Sequence, residues 1–132
     1  MAEFEVIYFP VYARAEAIRM TLHHSKADWK DTITTGDDFK ARKESGSLPG
    51  GQVPVLIHEG KTLNESMAIL RYVGRKVGYV PTNDYDLWVC DRSVDFFNGH
   101  GFTLGPKIFA KDWSDKEKEA FTKNEDGTYK VN

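Results

Sequence analysis

Few side chains in this sequence have the types that do chemistry, and most stand alone. The one cysteine, Cys90, excludes an internal disulfide and lacks the C-x-x-C partner of a thiol-disulfide exchanger. His23 and His24 are adjacent in a helical segment, so they point different ways and make a poor metal pair. They read as surface residues. His58 and His100 have no cysteine or carboxylate cluster at ligand spacing, and no metal site is expected. The glycine-rich run Gly46 to Gly51 lacks the Gly-Lys-Ser/Thr ending of a phosphate loop. What remains is a phenol, an arginine, a proline and a polar pair. Tyr8 sits where an apolar run is stopped by Pro10, and by itself reads as a core or sheet-edge residue. Arg14 opens a helical pattern. Pro54 follows Val53 at a strand start, where a missing N–H is tolerated. Glu65-Ser66 opens another helix, where backbone N–H groups attract a carboxylate and a serine can cap.

These residues need a frame. Glu5 to Phe9 is β-branched and aromatic and reads as a strand. Arg14 to Ser25 reads as a helix with Ala17, Ile18, Thr21 and Leu22 on one face, while Arg14, Arg19 and Lys26 are expected to face solvent. Asp28 to Thr35 carries a second strand signal, Asp37 to Glu44 a short polar helix, and Ser45 to Gly51 a loop. Gln52 to Ile57 and Lys61 to Leu63 are two strands joined at Glu59-Gly60 as a hairpin. Asn64 or Ser66 caps a helix to about Val77, with Ile69, Tyr72, Val73 and Val77 as its apolar face. Asp84 to about Phe97 is a further helix, with Leu87, Val94 and Phe97 as core candidates and Cys90 expected to be a buried small apolar residue. After Gly99 the pattern is interrupted by Gly101, Gly105 and Pro106. Trp113 to Phe121 suits one more short helix, and Asn124 to Asn132 a tail.

The order is β-α-β, an irregular polar helix, then β-β-α. Two parallel strands joined by a helix need a right-handed crossover. A hairpin and helix complete a four-stranded mixed sheet, so the α/β fold expected is thioredoxin-like, followed by the start of an all-α second domain. The expected organisation is a first domain at 1–78, a linker at 79–83 and a partial helical domain at 84–132.

The 132 residues are 40% apolar and 29% charged, a globular balance with a net charge of −2. That argues against a strongly basic nucleic-acid binder. No apolar run reaches the roughly 18 residues of a membrane span. The acidic start, Met1-Ala2-Glu3-Phe4-Glu5, is unlike a signal peptide. A soluble cytoplasmic protein is the expectation.

Three stretches carry a family resemblance. Tyr8-Phe9-Pro10 with Arg14-Ala15-Glu16-Ala17-Ile18-Arg19 resembles the first strand and helix of tyrosine-type cytosolic glutathione transferases. Gly51-Gln52-Val53-Pro54-Val55-Leu56 resembles their loop and third strand. Leu63 to Tyr72, with Glu65-Ser66, resembles their fourth strand and third helix. The Tyr-Phe opening is closest to the sigma, mu, pi and alpha group, whereas the Glu-Ser pair is more like other classes. The resemblance spans roughly residues 4 to 100.

It implies an enzyme that holds the glutathione thiol as a thiolate for attack on a small electrophile, a detoxification reaction. Tyr8 would donate its hydroxyl hydrogen bond to the sulfur, and Arg14 would lie close to it. A cis Val53-Pro54 bond would turn the Val53 backbone toward the peptide-like middle of glutathione, a strand-edge mode of binding, with Gln52 beside it. Ser66 would hold the γ-glutamyl carboxylate and Glu65 its ammonium. The family often has a tryptophan and a lysine on the second helix for the glycyl carboxylate. The nearest candidates here are Phe39, Arg42 and Lys43, of which Phe39 and Lys43 are assigned. Glutathione is then a co-substrate. No prosthetic group or metal is implied, the partners are glutathione and a small hydrophobic electrophile, and a homodimer is allowed.

Two departures qualify this. Val94 to Gly99 resembles the fourth-helix stretch from which a family acid reaches the partner subunit's glutathione, but Gly99 holds the matching position, so neither Asp95 nor Asn98 inherits the role. The chain also supplies only the start of the helical domain. The apolar face of Leu87 to Phe97 would then be covered by Ile108, Phe109, Trp113 and Phe121, or by another chain. The rival reading is a glutathione-binding or interaction module of the same fold with weak or no turnover. The short second domain favours it, and the retained Tyr8, Pro54 and Ser66 speak against it.

Overall fold

The computed structural model describes residues 2–109. Four strands, β1 (Phe4–Tyr8), β2 (Trp29–Ile33), β3 (Val55–His58) and β4 (Lys61–Leu63), form one sheet in the order β2-β1-β3-β4. β1 runs parallel to β2 and antiparallel to β3, and β4 is antiparallel to β3. Around them lie α1 (Glu16–His24), α2 (Gly36–Glu44), α3 (Ser66–Lys76) and α4 (Asp84–Phe109). Single turns of 3-10 helix occupy Ala13–Ala15 and Pro49–Gly51. This is the thioredoxin-like arrangement, with α1 as the crossover between the parallel strands.

The period of two in β1 sorts its side chains between two cores. Phe4, Val6 and Tyr8 face α1 and α3 and pack with Ala15, Ile18, Leu22, Leu56, Ile69 and Val73. Ile7 faces the other way and packs with Leu48 and Val55, partly covered by Phe39 and Ile57. Both faces of β1 are thus covered, so four of its five residues are buried rather than alternating. The β3–β4 turn has Glu59 at φ 50° and Gly60 at φ 70°, the two positive values a type I′ hairpin demands.

Several expectations need correction. The first helix begins with a 3-10 turn, which rotates Ala15 inward beside Ile18 and Leu22 and leaves Ala17 exposed. Cys90 is exposed, on a stretch of α4 where Trp88 and Val89 are also exposed. The fourth helix continues through Gly99, Gly101, Gly105 and Pro106 to Phe109. Glycine costs a helix interior about 1 kcal/mol and proline about 3, which a 26-residue helix sets against many intact turns. The readings of Trp113 to Phe121 and Asn124 to Asn132, and the cover by Ile108, Phe109, Trp113 and Phe121, lie outside the described residues or side chains.

The chain divides into two compact units, one ending at Asp91 and one beginning at Arg92. The first holds the sheet, α1 to α3 and the opening turns of α4, where Arg71 of α3 pairs with Asp91 at 2.6 Å. The second continues α4 from Arg92, with Phe96 and Phe97 in edge contact.

Candidate functional site

Strand register gathers the site at one end of the sheet. Ile7 of β1 stands opposite Val55 of β3, so Tyr8 ends its strand beside the chain entering β3, at Val53-Pro54. Leu63 of β4 stands opposite Leu56, so β4 leaves the sheet at the same end and delivers Glu65-Ser66 there. Three segments distant in sequence therefore converge because β3 is antiparallel to both neighbours.

Tyr8 is 5% exposed. Its hydroxyl oxygen accepts a hydrogen bond from the Arg14 backbone N–H at 3.2 Å. Among the described residues the hydroxyl donates to nothing, so its proton is uncommitted. Accepting one bond strengthens a hydroxyl as donor, because polarisation along the chain is cooperative. Arg14 thus contributes its main chain to Tyr8, while the residue itself is exposed.

The Val53–Pro54 bond is cis and Pro54 is buried. Among the described residues the Val53 N–H and C=O have no partner, which leaves one donor and one acceptor at the entry to β3. An extended amide group can pair with both. Gln52 beside it is exposed.

Glu65 precedes α3 at φ 67° and ψ 102°, a conformation disfavoured for a side-chain-bearing residue. Its carbonyl accepts the Ile69 N–H at 2.9 Å, so the helix starts there, but its side chain makes no cap. Ser66 is buried, with a hydroxyl that has no partner among the described residues. The N–H groups of Ser66, Met67 and Ala68 are likewise unpaired among them. A helix start with free N–H groups and a free hydroxyl suits a carboxylate.

α2 brings Phe39 and Lys43 to this end. It is pinned by Asp38, which accepts from the Thr34 hydroxyl at 2.7 Å and from Arg42 Nε at 2.8 Å. Those bonds, Arg42's first, hold the Asp38 carboxyl below its usual range. Arg42 is therefore engaged within its own helix. Phe39 is half-buried, edge-on to Phe9 at 5.1 Å. Lys43 lays its stem along Gly51: a Cβ there would stand 3.0 Å from the lysine Cε. Gly51 lies at φ 65°, so a side chain there is strained by the backbone and would make the lysine stem shift. The Lys43 ammonium has no partner among the described residues.

Sequence reasoning missed Arg19. Expected to face solvent, its side chain is 11% exposed and is held by the carbonyls of Phe9 and Val11 and the Asp31 carboxylate. Its neighbour Ile18 is fully buried, so Arg19 stands at the margin of the buried face, which helical periodicity does not distinguish from solvent. Three histidines, His23, His24 and His58, stay outside the site. His23 and His24 are exposed. His58 is buried at the far end of β3, stacked on Phe4 and bonded through Nδ1 to the Tyr72 hydroxyl at 2.8 Å. Among the described residues no group of three or more His, Cys, Asp or Glu side chains is gathered to hold a metal, and no helix is long and apolar enough to cross a membrane.

The family model of the glutathione S-transferase N-terminal domain matches residues 4–75, the stretch that carries every segment just described. The chain belongs to the glutathione S-transferase family. A glutathione S-transferase of Anopheles gambiae is 31% identical over 124 residues, which cover 94% of this chain and 60% of that relative. A probable glutathione S-transferase of Caenorhabditis elegans is 33% identical over 82% of this chain and 52% of its own. The solved structure of a Nu-class transferase from Haemonchus contortus superposes with a TM-score of 0.76 at 31% identity, covering 87% of this chain and 57% of that one. The chain thus spans about half to three-fifths of the length of these relatives.

Proposed function

We propose that this chain binds glutathione and acts as a glutathione transferase, with Tyr8 holding the thiol as a thiolate. The observation that carries the reading is Tyr8: a buried residue whose hydroxyl is oriented by the Arg14 N–H and, among the described residues, has its own proton free. A free thiol has a pKa of about 8.5. A donor aimed at the sulfur stabilises the anion and lowers that value. The thiol proton passes to water. The sulfur lone pair then forms a bond to an electrophilic carbon of a small hydrophobic substrate, and the leaving group departs with its electron pair. Holding both reactants together replaces a bimolecular encounter.

The rest of the pocket has a role for each part of the tripeptide. The Val53 N–H and C=O suit the central amide, and Gln52 lies beside them. The start of α3, with Ser66, suits the γ-glutamyl carboxylate, and the Glu65 carboxylate suits its ammonium. Lys43 suits the glycyl carboxylate, with Phe39 packing beneath α2. Glutathione is the co-substrate, and this scheme uses no metal or prosthetic group.

The test is retention on immobilised glutathione together with conjugation of glutathione to a chromogenic aryl halide. Retention with turnover that drops in Tyr8→Phe supports the transferase. Retention without turnover converts the reading to a binding module, and no retention by the folded chain overturns it.

A further inference from the structure

The segment between Tyr8 and Arg14 carries the donor that orients the Tyr8 hydroxyl, yet little in its own sequence anchors it. Val11 is 50% exposed and Tyr12 79% exposed, Ala13 stands at φ 28°, and Pro10 has no N–H to give. One short turn, from the Val11 N–H to the Phe9 carbonyl at 2.8 Å, bends the segment on itself. Phe9 packs on Phe39 at its start, and the polar hold on the segment from outside comes from Arg19. Its Nη1 donates to the Val11 carbonyl at 2.7 Å and its Nη2 to the Phe9 carbonyl at 3.2 Å. Its Nε donates to Asp31 at 3.2 Å, and Glu16 lies 3.7 Å away. The guanidinium carbon sits 5.5 Å from the centre of the Tyr8 ring.

We infer that Arg19 is a positioning residue for Tyr8: its fork fixes the Phe9–Ala13 segment so that the Arg14 N–H stays on the phenol oxygen, while its charge lies against the phenol ring. The inference rests on the proposed role of Tyr8. Two features support it over a plain tie between α1 and β2. The two backbone acceptors belong to the segment that leads from Tyr8 to Arg14, and the bond to Asp31 alone would serve for the tie. A planar fork also spreads its donors over three nitrogens, and so reaches two carbonyls and a carboxylate that an ammonium would have to gather round a single nitrogen. A cation on the face of an aromatic ring is attracted by its quadrupole and draws electron density from it, which makes the phenol a stronger donor.

The test uses the whole chain with Arg19→Gln, Arg19→Lys and Asp31→Asn, and two readouts. The first is hydrogen exchange at the Arg14 amide relative to amides of β1 and α1, which needs no glutathione. The second is the pH midpoint of thiolate absorbance from bound glutathione. In Arg19→Gln the Arg14 amide should exchange at least about tenfold faster than in the parent, with the amides of β1 and α1 as the unchanged reference. The midpoint should rise by about half to one pH unit, a three- to tenfold change in thiolate population. Arg19→Lys should fall between, and Asp31→Asn should move neither readout appreciably. In a Tyr8→Phe background, Arg19→Gln should move the midpoint no further. An Arg14 amide or a midpoint that Arg19→Gln leaves unchanged in a folded chain overturns the inference, as does an equal midpoint shift in the Tyr8→Phe background. If Arg19→Gln does not fold, Arg19→Lys carries the same comparison. A parent midpoint insensitive to Tyr8→Phe defeats the proposed role of Tyr8 instead, and the Arg14 amide then still decides whether Arg19 holds the segment.

Discussion

Replacing Ser66 by alanine separates a ligand contact from a helix cap, because the two readings give opposite signs. Ser66, the first residue of α3, is a buried residue whose hydroxyl has no partner among the described residues. Removal of that hydroxyl therefore breaks no hydrogen bond among the described residues. Alanine also has a slightly better helix propensity than serine, by a few tenths of a kcal/mol. Stability should stay level or rise slightly. A hydrogen bond to a charged group contributes about 1.5–3 kcal/mol. If the hydroxyl meets the γ-glutamyl carboxylate, its loss weakens glutathione binding by about ten- to 150-fold. Calorimetric titration with glutathione and a thermal melt of the same sample measure both quantities. A working cap would instead cost about 1 kcal/mol of stability when removed, and lower the melting temperature by several degrees. A lower melting temperature with unchanged affinity would refute the argument.

Three further outcomes follow from the packing and the charges. Leu22→Ala removes a fully buried side chain between α1 and the sheet, and should cost about 2–5 kcal/mol in urea unfolding; a loss under about 1 kcal/mol would mean the site collapses around the cavity. Glu5 is held below its ordinary value of 4.5 chiefly by the Thr32 hydroxyl, with Lys30 adding to it. A lowered folded value means the ionised carboxylate stabilises the fold above the unfolded value, and that contribution is lost as pH falls through the folded one. Glu5→Gln should therefore lower stability near neutral pH, by no more than about 1 kcal/mol for so accessible a pair, and the difference should vanish well below the carboxylate range; a gap that persists in acid contradicts this. Lys43→Met should weaken glutathione binding several-fold, most at low salt, and leave the thiolate midpoint where it was; a shifted midpoint would place Lys43 near the sulfur rather than the far carboxylate.

The parts of this protein legible in its sequence are those where one residue type has few places to go. Pro10 stops β1, Glu59-Gly60 makes the hairpin turn with two positive φ values, and Pro54 opens β3 where no N–H is missed. Element order then places Tyr8, Val53 and Ser66 at one end of the sheet, since β3 must be antiparallel to both β1 and β4. Arg19 was not legible, because its acceptors are two backbone carbonyls, and any residue supplies those. Helical periodicity says only that it lies next to Ile18. Cys90 misled for a related reason: small apolar character suits a core, but its place on an exposed stretch of α4 is set by the register of the whole helix. The persistence of α4 past Gly101 and Pro106 was hidden because local propensity counts each interruption and not the turns on both sides.

The central claim is that the Tyr8 hydroxyl stabilises the thiolate of bound glutathione, and the most direct measurement is the pH midpoint of thiolate absorbance in the parent and in Tyr8→Phe. The account predicts a midpoint in the parent below that of free glutathione, and an upward move of about one to two pH units in Tyr8→Phe, the size of one lost bond to a charged acceptor. Glutathione that binds both proteins with the same midpoint would contradict it.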